Sequence, residues 1–237
     1  MANLENTGEV FSSDVLIVGG GFSGLVMANR IKDLNSELDV LIVEKATTGF
    51  SGSVANKGAG VLWVMQEDDD IDKFRDYYVR NHGYYLEDQE LLEKVCVTSR
   101  EMVERLEGWG IQIMRDDNGK LVRIPELPLW SLCACDLDMM DKLRKAAVRR
   151  GVKVVDKTQC VELLTRDDRV VGAVGFSILD GTYRIFKSKS VVVATGSCRW
   201  MVTSLWTSAR GAGIAAAYRA GAEMRNAEFS NFHNIGL

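Results

Sequence analysis

Short apolar runs alternate with polar and glycine-rich breaks along this chain, and their spacing predicts an α/β protein. Asp14-Val-Leu-Ile-Val18 is an unbroken, β-branched run of the kind that forms a strand covered on both faces. It stops at Gly19-Gly-Gly-Phe-Ser-Gly24. Residues 25–34 then set Leu25, Ala28 and Ile31 at helical spacing, and Asp39-Val-Leu-Ile-Val-Glu44 predicts a second buried strand. Residues 14–45 therefore read as a β-α-β unit with parallel strands and a right-handed crossover.

The pattern then changes twice. Residues 47–60 form a loop-like stretch with four glycines. Helices are predicted over 71–82, 88–109 and 136–150, with Gly110 and Gly151 closing the last two. Between them, 111–124 reads as a hairpin turning at Asp117-Asn118-Gly119. Beyond Gly151 come short β-like runs, 152–155, 160–166, 170–178 and 182–187, broken at Asp167-Asp168 and Asp180-Gly181, which predict a small antiparallel meander. Residues 190–194 read as a separate strand returning to the first sheet and stopping at Thr195-Gly196, and 211–220 as a helix of small residues. We expect one domain over 1–237: a β-α-β unit (14–45), a helical excursion (65–150), a β meander (152–188), and a return strand with a C-terminal helix (190–237). The chain stops abruptly at Asn231-Phe-His-Asn-Ile-Gly-Leu237, as a truncated product or one piece of a longer protein would.

Composition narrows the function classes. The 237 residues are 46% hydrophobic and 26% charged, which excludes a disordered chain. Lys plus Arg is 29 and Asp plus Glu is 33, so the net charge is −4, against the basic footprint that nucleic-acid binding needs. No charge-free apolar stretch reaches the ~18 residues of a membrane span. The leader MANLENTGEVFSS lacks the basic and apolar regions of a secretory signal. Five scattered cysteines form no disulfide framework, so the expected compartment is the reducing cytoplasm. The lone pair Cys133-x-Cys135 falls short of a metal or iron–sulfur ligand set, so no metal site is expected.

The chemistry begins with Gly19-x-Gly21-x-x-Gly24, directly after a strand and opening a helix. Gly19 permits the tight turn, Gly21 lets the backbone approach a pyrophosphate, and Gly24 lets helix pack on strand. The helix N-terminus meets the phosphates with unpaired N–H groups and its positive dipole end. Glu44, 20 residues past Gly24 at the end of the second strand, is placed to accept ribose hydroxyls. The unit binds an ADP moiety, of NAD or of FAD. An NAD dehydrogenase would continue with further β-α-β units. Here a glycine loop, helices and a meander lead back to a strand ending in Ala-Thr-Gly, the order seen in two-dinucleotide-fold flavoproteins.

On four stretches the sequence resembles the flavoprotein subunits of the fumarate reductase/succinate dehydrogenase family, which includes L-aspartate oxidase and the adenylylsulfate reductase alpha subunit. They are Val15–Gly24; Glu44-Lys45 with Ser51-Gly-Ser-Val-Ala-Asn56; Val191-Val-Val-Ala-Thr-Gly196; and Gly211-Ala-Gly-Ile-Ala, Ala220-Gly-Ala-Glu-Met and Phe232-His233. The resemblance implies an α/β, Rossmann-like FAD-binding domain with a central parallel sheet, an antiparallel β meander and flanking helices. It implies an oxidoreductase that holds FAD for hydride transfer. Gly19, Gly21, Phe22, Ser23 and Gly24 would hold the pyrophosphate, and Glu44 and Lys45 the adenosine ribose. Ser51, Gly52, Ser53, Asn56 and Gly58 would line the ribityl or isoalloxazine end. Val161 would meet adenine through its backbone, Ala194, Thr195 and Gly196 would border the ADP, and His233 would bind substrate.

The departures carry information of their own. Some members attach FAD through a histidine where this chain has Gly52, so the resemblance implies noncovalent FAD. Ala212 stands where the family has an aspartate that meets FAD, and Asn234-Ile235 replaces a Pro-Thr of the substrate loop. Ser51-Gly-Ser-Val-Ala55, Ala212 and Trp206 are similar to the adenylylsulfate reductase branch. The implied partners are a small-molecule substrate and a second polypeptide that supplies a capping domain or iron–sulfur electron transfer. Self-association through an apolar surface is a further expectation. A flavin-binding piece without turnover of its own is the alternative from another class.

Overall fold

The computed structural model describes residues 8–52, 60–124, 132–197 and 211–228. They fall into two compact units, 1–58 with 143–237 and 59–142.

The first unit is built on a six-stranded sheet. Its elements are β1 (Glu9–Val18), α1 (Phe22–Leu34), β2 (Val40–Val43), β6 (Lys153–Val155), β7 (Thr158–Arg166), β8 (Arg169–Ser177), β9 (Tyr183–Val193) and α5 (Ala212–Arg219). The order across the sheet is β6-β2-β1-β9-β8-β7. β6, β2, β1 and β9 are mutually parallel, while β8 and β7 continue antiparallel from β9. Leu16, Ile17, Leu41 and Ile42 are all buried, so both faces of β1 and β2 are covered, as their unbroken apolar runs predict. Leu16, Val18, Leu41, Val43, Ala173 and Phe186 share one core cluster, and Phe11 stacks on Phe186 with ring centroids 5.1 Å apart.

Two strand expectations are corrected. The run 152–155 does not join the meander: β6 pairs parallel with β2 at the opposite edge, because it follows a helix, and a helical crossover returns a strand parallel. The runs 182–187 and 190–194 are one continuous strand, β9. Its polar Ser188-Lys189-Ser190 reads as a break in the sequence. It lies just past the last pair with β8, Gly172 with Lys187, while pairing with β1 continues to Val18 with Val193.

The second unit holds β3 (Val61–Trp63), α2 (Ile71–Tyr78), α3 (Gln89–Gly108), β4 (Arg123–Ile124) and β5 (Leu132–Ala134). The three strands form an antiparallel sheet, β3-β5-β4. Asp70 and Asp88 cap α2 and α3, accepting the N–H of Lys73 and Leu91. A π-helical turn, Val79–Gly83, ends the predicted 71–82 helix, and Tyr84 and Tyr85 follow with left-handed backbones. The hairpin turn at 116–119 forms, but its arms pair only through the isolated bridge of Arg115 with Leu121. Trp63, Met65, Phe74 and Cys96 pack together as this unit's core. The division between the units falls inside α4 (Met139–Arg149). Gly110 and Gly151 end α3 and α4 as expected: each C′ glycine donates to C2 and the next residue to C3, Gly110 to Glu107 with Ile111 to Leu106, and Gly151 to Val148 with Val152 to Ala147. Among the described residues no helix is long and apolar enough to cross a membrane.

Candidate functional site

The parallel strands β2, β1 and β9 end side by side, and the backbone at their C-terminal ends is tightly seamed. Gly19 N–H donates to Val43 O at 2.8 Å, and Ala194 N–H to Val18 O at 2.8 Å. Gly19 has φ +110, and a Cβ there would lie 2.3 Å from Ala194 O, so the turn between strands needs glycine on both counts. A Cβ on Gly24 would lie 2.0 Å from Gly19 O, which fixes Gly24 as the point where α1 meets the turn.

Gly21 differs from these. Its backbone is ordinary, φ −78 and ψ −167, and no described atom lies within 4 Å of where its Cβ would be. Gly21 is among the residues that line a cleft of about 340 Å³. Gly21 is the N-cap of α1, with no side-chain cap and no acidic residue in the first turn. Among the described residues, the opening N–H groups of α1 are thus left for an outside acceptor. Gly211 caps α5 in the same way, again without a side-chain cap or an acid in the first turn, and Gly211, Ala212 and Gly213 line the same cleft. A Cβ on Gly213 would lie 2.2 Å from Thr195 Oγ1, so α5 sits close against the Ala-Thr-Gly turn. Two helix N-termini on one cleft give it a positive backbone field, and Lys45 lines it as well.

Glu44 forms the acidic wall. It is buried, and both of its oxygens are engaged: Oε2 accepts Gly20 N–H at 2.7 Å and Oε1 accepts Ala46 N–H at 2.8 Å. Each carboxylate oxygen keeps further acceptor capacity for a ribose hydroxyl. Thr158, Gln159 and Cys160 at the start of β7 line the far side. Arg184 Nη1 donates to Thr158 Oγ1, and Gln159 Nε2 donates to Cys160 O at 2.6 Å. Burial pushes the Cys160 thiol up to about 11, so it is a neutral thiol, and its Sγ donates to Glu162 O at 3.9 Å.

The residues singled out from sequence divide plainly. Gly19, Gly21, Phe22, Ser23, Glu44, Lys45, Ser51, Gly52, Ala194, Thr195 and Gly196 all line the cleft. Gly24 lies behind it as a packing contact. Val161 is not among the lining residues, and its carbonyl accepts from Arg219 Nη2 at 3.2 Å. Ser53, Asn56, Gly58 and His233 lie outside the described residues. Sequence reasoning missed Thr158, Gln159 and Cys160. Their signal was only position, since they begin the strand that holds Val161.

The cleft suits a dinucleotide on its own geometry: an open Gly21 where a pyrophosphate needs close approach, two helix N-termini for its charge, and a carboxylate for a ribose. Comparison with known proteins agrees. A protein-family model described as an FAD binding domain matches residues 14–236. The fumarate reductase flavoprotein subunit of Mycobacterium tuberculosis is 30% identical over 236 residues, covering 94% of this chain and 40% of that protein. A solved adenosine-5-phosphosulfate reductase, in complex with sulfite as a covalent adduct, superposes with a TM-score of 0.74 at 26% identity, over 92% of this chain and 37% of the other. An open conformation of a flavocytochrome c3 fumarate reductase shares the fold, with a TM-score of 0.76 at 23% identity over 93% of this chain and 42% of the other. The chain thus spans about 40% of the length of the curated relative it matches.

Proposed function

The chain belongs to the FAD binding domain family, and we propose that it is the noncovalent FAD-holding module of a fumarate reductase/succinate dehydrogenase-type oxidoreductase. The observation that carries this reading is the pair of uncapped helix N-termini, α1 and α5, on one cleft with the open face of Gly21 between strand and helix. When bound, FAD supplies hydride transfer through its isoalloxazine ring, and the protein supplies binding and orientation. The N–H groups at Phe22 and Ser23 receive the pyrophosphate charge. Glu44 accepts from the ribose while holding Gly20, and Ala194, Thr195 and Gly196 border the ADP. Ser51 and Gly52 lead toward the ribityl end. Gly52 offers no side chain for a covalent link, which supports noncovalent binding.

Turnover belongs to the whole protein, and the proposal is that a small-molecule substrate and a partner polypeptide complete the site. A second reading is an adenylylsulfate reductase alpha-like subunit. Ala212, similar to the adenylylsulfate reductase branch, and the 26%-identical sulfite-bound neighbour support it.

The test is a visible spectrum of the purified chain followed by acid precipitation. Flavin bands that pass into the supernatant are expected. Colour retained in the pellet overturns the noncovalent part, and a chain that neither carries nor takes up FAD overturns the reading. Viologen-coupled fumarate reduction then supports the first assignment, and AMP- and sulfite-dependent dye reduction supports the second.

A further inference from the structure

Beside the cleft lining lies a part-buried polar contact that none of the expected site residues accounts for. Thr48 is fully buried, and both its N–H (2.8 Å) and its Oγ1 (2.7 Å) donate to the same oxygen, Oδ1 of Asp156. Neither Thr48 nor Asp156 lines the cleft. Thr48 packs directly on the glycine turn: a Cβ on Gly20 would lie 2.5 Å from Thr48 Oγ1 and 2.9 Å from its Cβ and Cγ2. The next residue, Gly49, donates its N–H to Gly20 O at 2.9 Å, while Gly20 N–H goes to Glu44 Oε2. The middle glycine of the turn is thus held at its N–H, its carbonyl and its Cα by the segment 44–49. That segment runs on into Ser51 and Gly52, which line the cleft.

Asp156 is well placed to hold it. It follows β6, whose Val155 O accepts Glu44 N–H at 3.0 Å, and Lys157 N–H donates to Ala46 O at 3.2 Å. Lys157 Nζ donates to Thr47 Oγ1 at 3.1 Å. The side-chain anchor that reaches Thr48 from this strand end is the Asp156 carboxylate. A buried threonine whose two donors meet a single acceptor has one geometry, and losing the acceptor strands both donors.

We propose that Asp156 is a positioning residue for the dinucleotide: acting through Thr48, it holds the 44–52 segment against Gly20 and so keeps two walls of the cleft in register. The inference rests on the FAD-binding reading of this cleft. It concerns acceptor geometry rather than charge, since both bonds fall on one oxygen, and an amide oxygen can replace it.

The test is a titration of the 237-residue apoprotein with FAD, and with ADP as competitor, for the unaltered chain, Asp156→Ala, Asp156→Asn, Thr48→Val and Thr48→Ser. Asp156→Ala is expected to weaken FAD and ADP by the same factor, about ten- to hundred-fold. Asp156→Asn is expected to return both to within about three-fold, because one oxygen accepts both bonds. Thr48→Val keeps shape and the main-chain bond but loses the hydroxyl, so it should fall between, at about three- to ten-fold, with Thr48→Ser near the unaltered value. Asp156→Ala within about two-fold of the unaltered chain overturns the proposal. So does Asp156→Asn as weak as alanine, or FAD weakened with ADP unmoved. If Asp156→Ala does not fold, Thr48→Val decides: unchanged affinity overturns the proposal and the expected loss supports it. An unaltered chain that binds no FAD refutes the underlying reading and takes this inference with it, whereas normal binding by unaltered and altered chains alike refutes this inference alone.

Discussion

Replacing Gly21 and Gly24 separately by alanine should divide binding from folding within one four-residue stretch. At Gly24 the added methyl would sit 2.0 Å from a backbone oxygen, Gly19 O, and 3.3 Å from Ile17 Cγ2. Backbone cannot swing aside as a side-chain tip does, so α1 must move more than an ångström off the turn. Alanine's better helix propensity returns about 1 kcal/mol, and overpacking of this kind costs about 3 kcal/mol or more, leaving a net loss near 2. For a chain of this size that lowers Tm by about 4–8 °C. At Gly21 the backbone is one that any residue adopts, and the methyl meets open space, so the cost is that of an alanine N-cap, about half a kcal/mol. Tm should fall by only about 1–2 °C. Gly21 lines the cleft, so FAD affinity should drop by about ten-fold or more, about 1.4 kcal/mol. Thermal melts of the apoproteins and flavin titrations measure both. A Gly21→Ala chain that binds FAD normally, or a Gly24→Ala chain as stable as the unaltered one, would refute the steric division.

Other outcomes follow from the same contacts. The Cys160 thiol, raised from 9.0 to about 11 in the folded chain, keeps its proton there while the unfolded chain loses it. Its contribution is therefore fully present below pH 9 and is lost as pH rises toward 11, by up to about 2–3 kcal/mol. Urea melts between pH 8 and 11 should show a fall that is shallower in Cys160→Ala, and equal slopes would count against it. Buried Asn29 donates from one amide to Leu25 O and Leu143 O, both at 3.0 Å and both inside helices, so Asn29→Ala removes two hydrogen bonds, one of them tying α1 to α4, and should cost about 1–3 kcal/mol in a denaturant melt. Gly172 has φ +153, and a Cβ there would meet Phe186 O at 1.9 Å, so Gly172→Ala should lower Tm by about 6 °C or more, while Gly181→Ala, with open space around it, should do less.

Much of the first unit was legible because its signals are local. Val15–Val18 and Val40–Val43 are apolar without interruption, and the glycines between them stand at motif spacing, although only Gly24 is forced by a near neighbour, Gly19 O, while Gly19 is forced by distant Ala194 O. The two C-terminal glycine caps at 110 and 151 were legible for the same reason. What the sequence hid was long-range. Ser188-Lys189-Ser190 is polar, and only the pairing of β1 with β9 shows that the strand runs through it. β3 and β5 are three residues each, too short for periodicity to register. The π-helical turn and the left-handed Tyr84 and Tyr85 have no glycine signature at the positions that need one. In the cleft, Gly19, Gly21 and Glu44 followed from spacing. Thr158, Gln159 and Cys160 did not, because a residue more than a hundred positions away enters the site through sheet order alone.

The continuity of β9 makes the sheet a ruler for the cleft. Its first half is fixed against β8 and its whole length against β1, from Glu9 with Arg184 to Val18 with Val193. The Ala194-Thr195-Gly196 turn hangs from the end of that ruler, opposite Gly19. One residue inserted or deleted near Lys187 would shift the turn by about 3.3 Å and turn its neighbours to the other face. The pairing within the meander would then decide whether the two halves of the nucleotide cradle still meet. Changes of length should therefore be tolerated at the Asp180-Gly181 turn, before the measured stretch begins, and not within it.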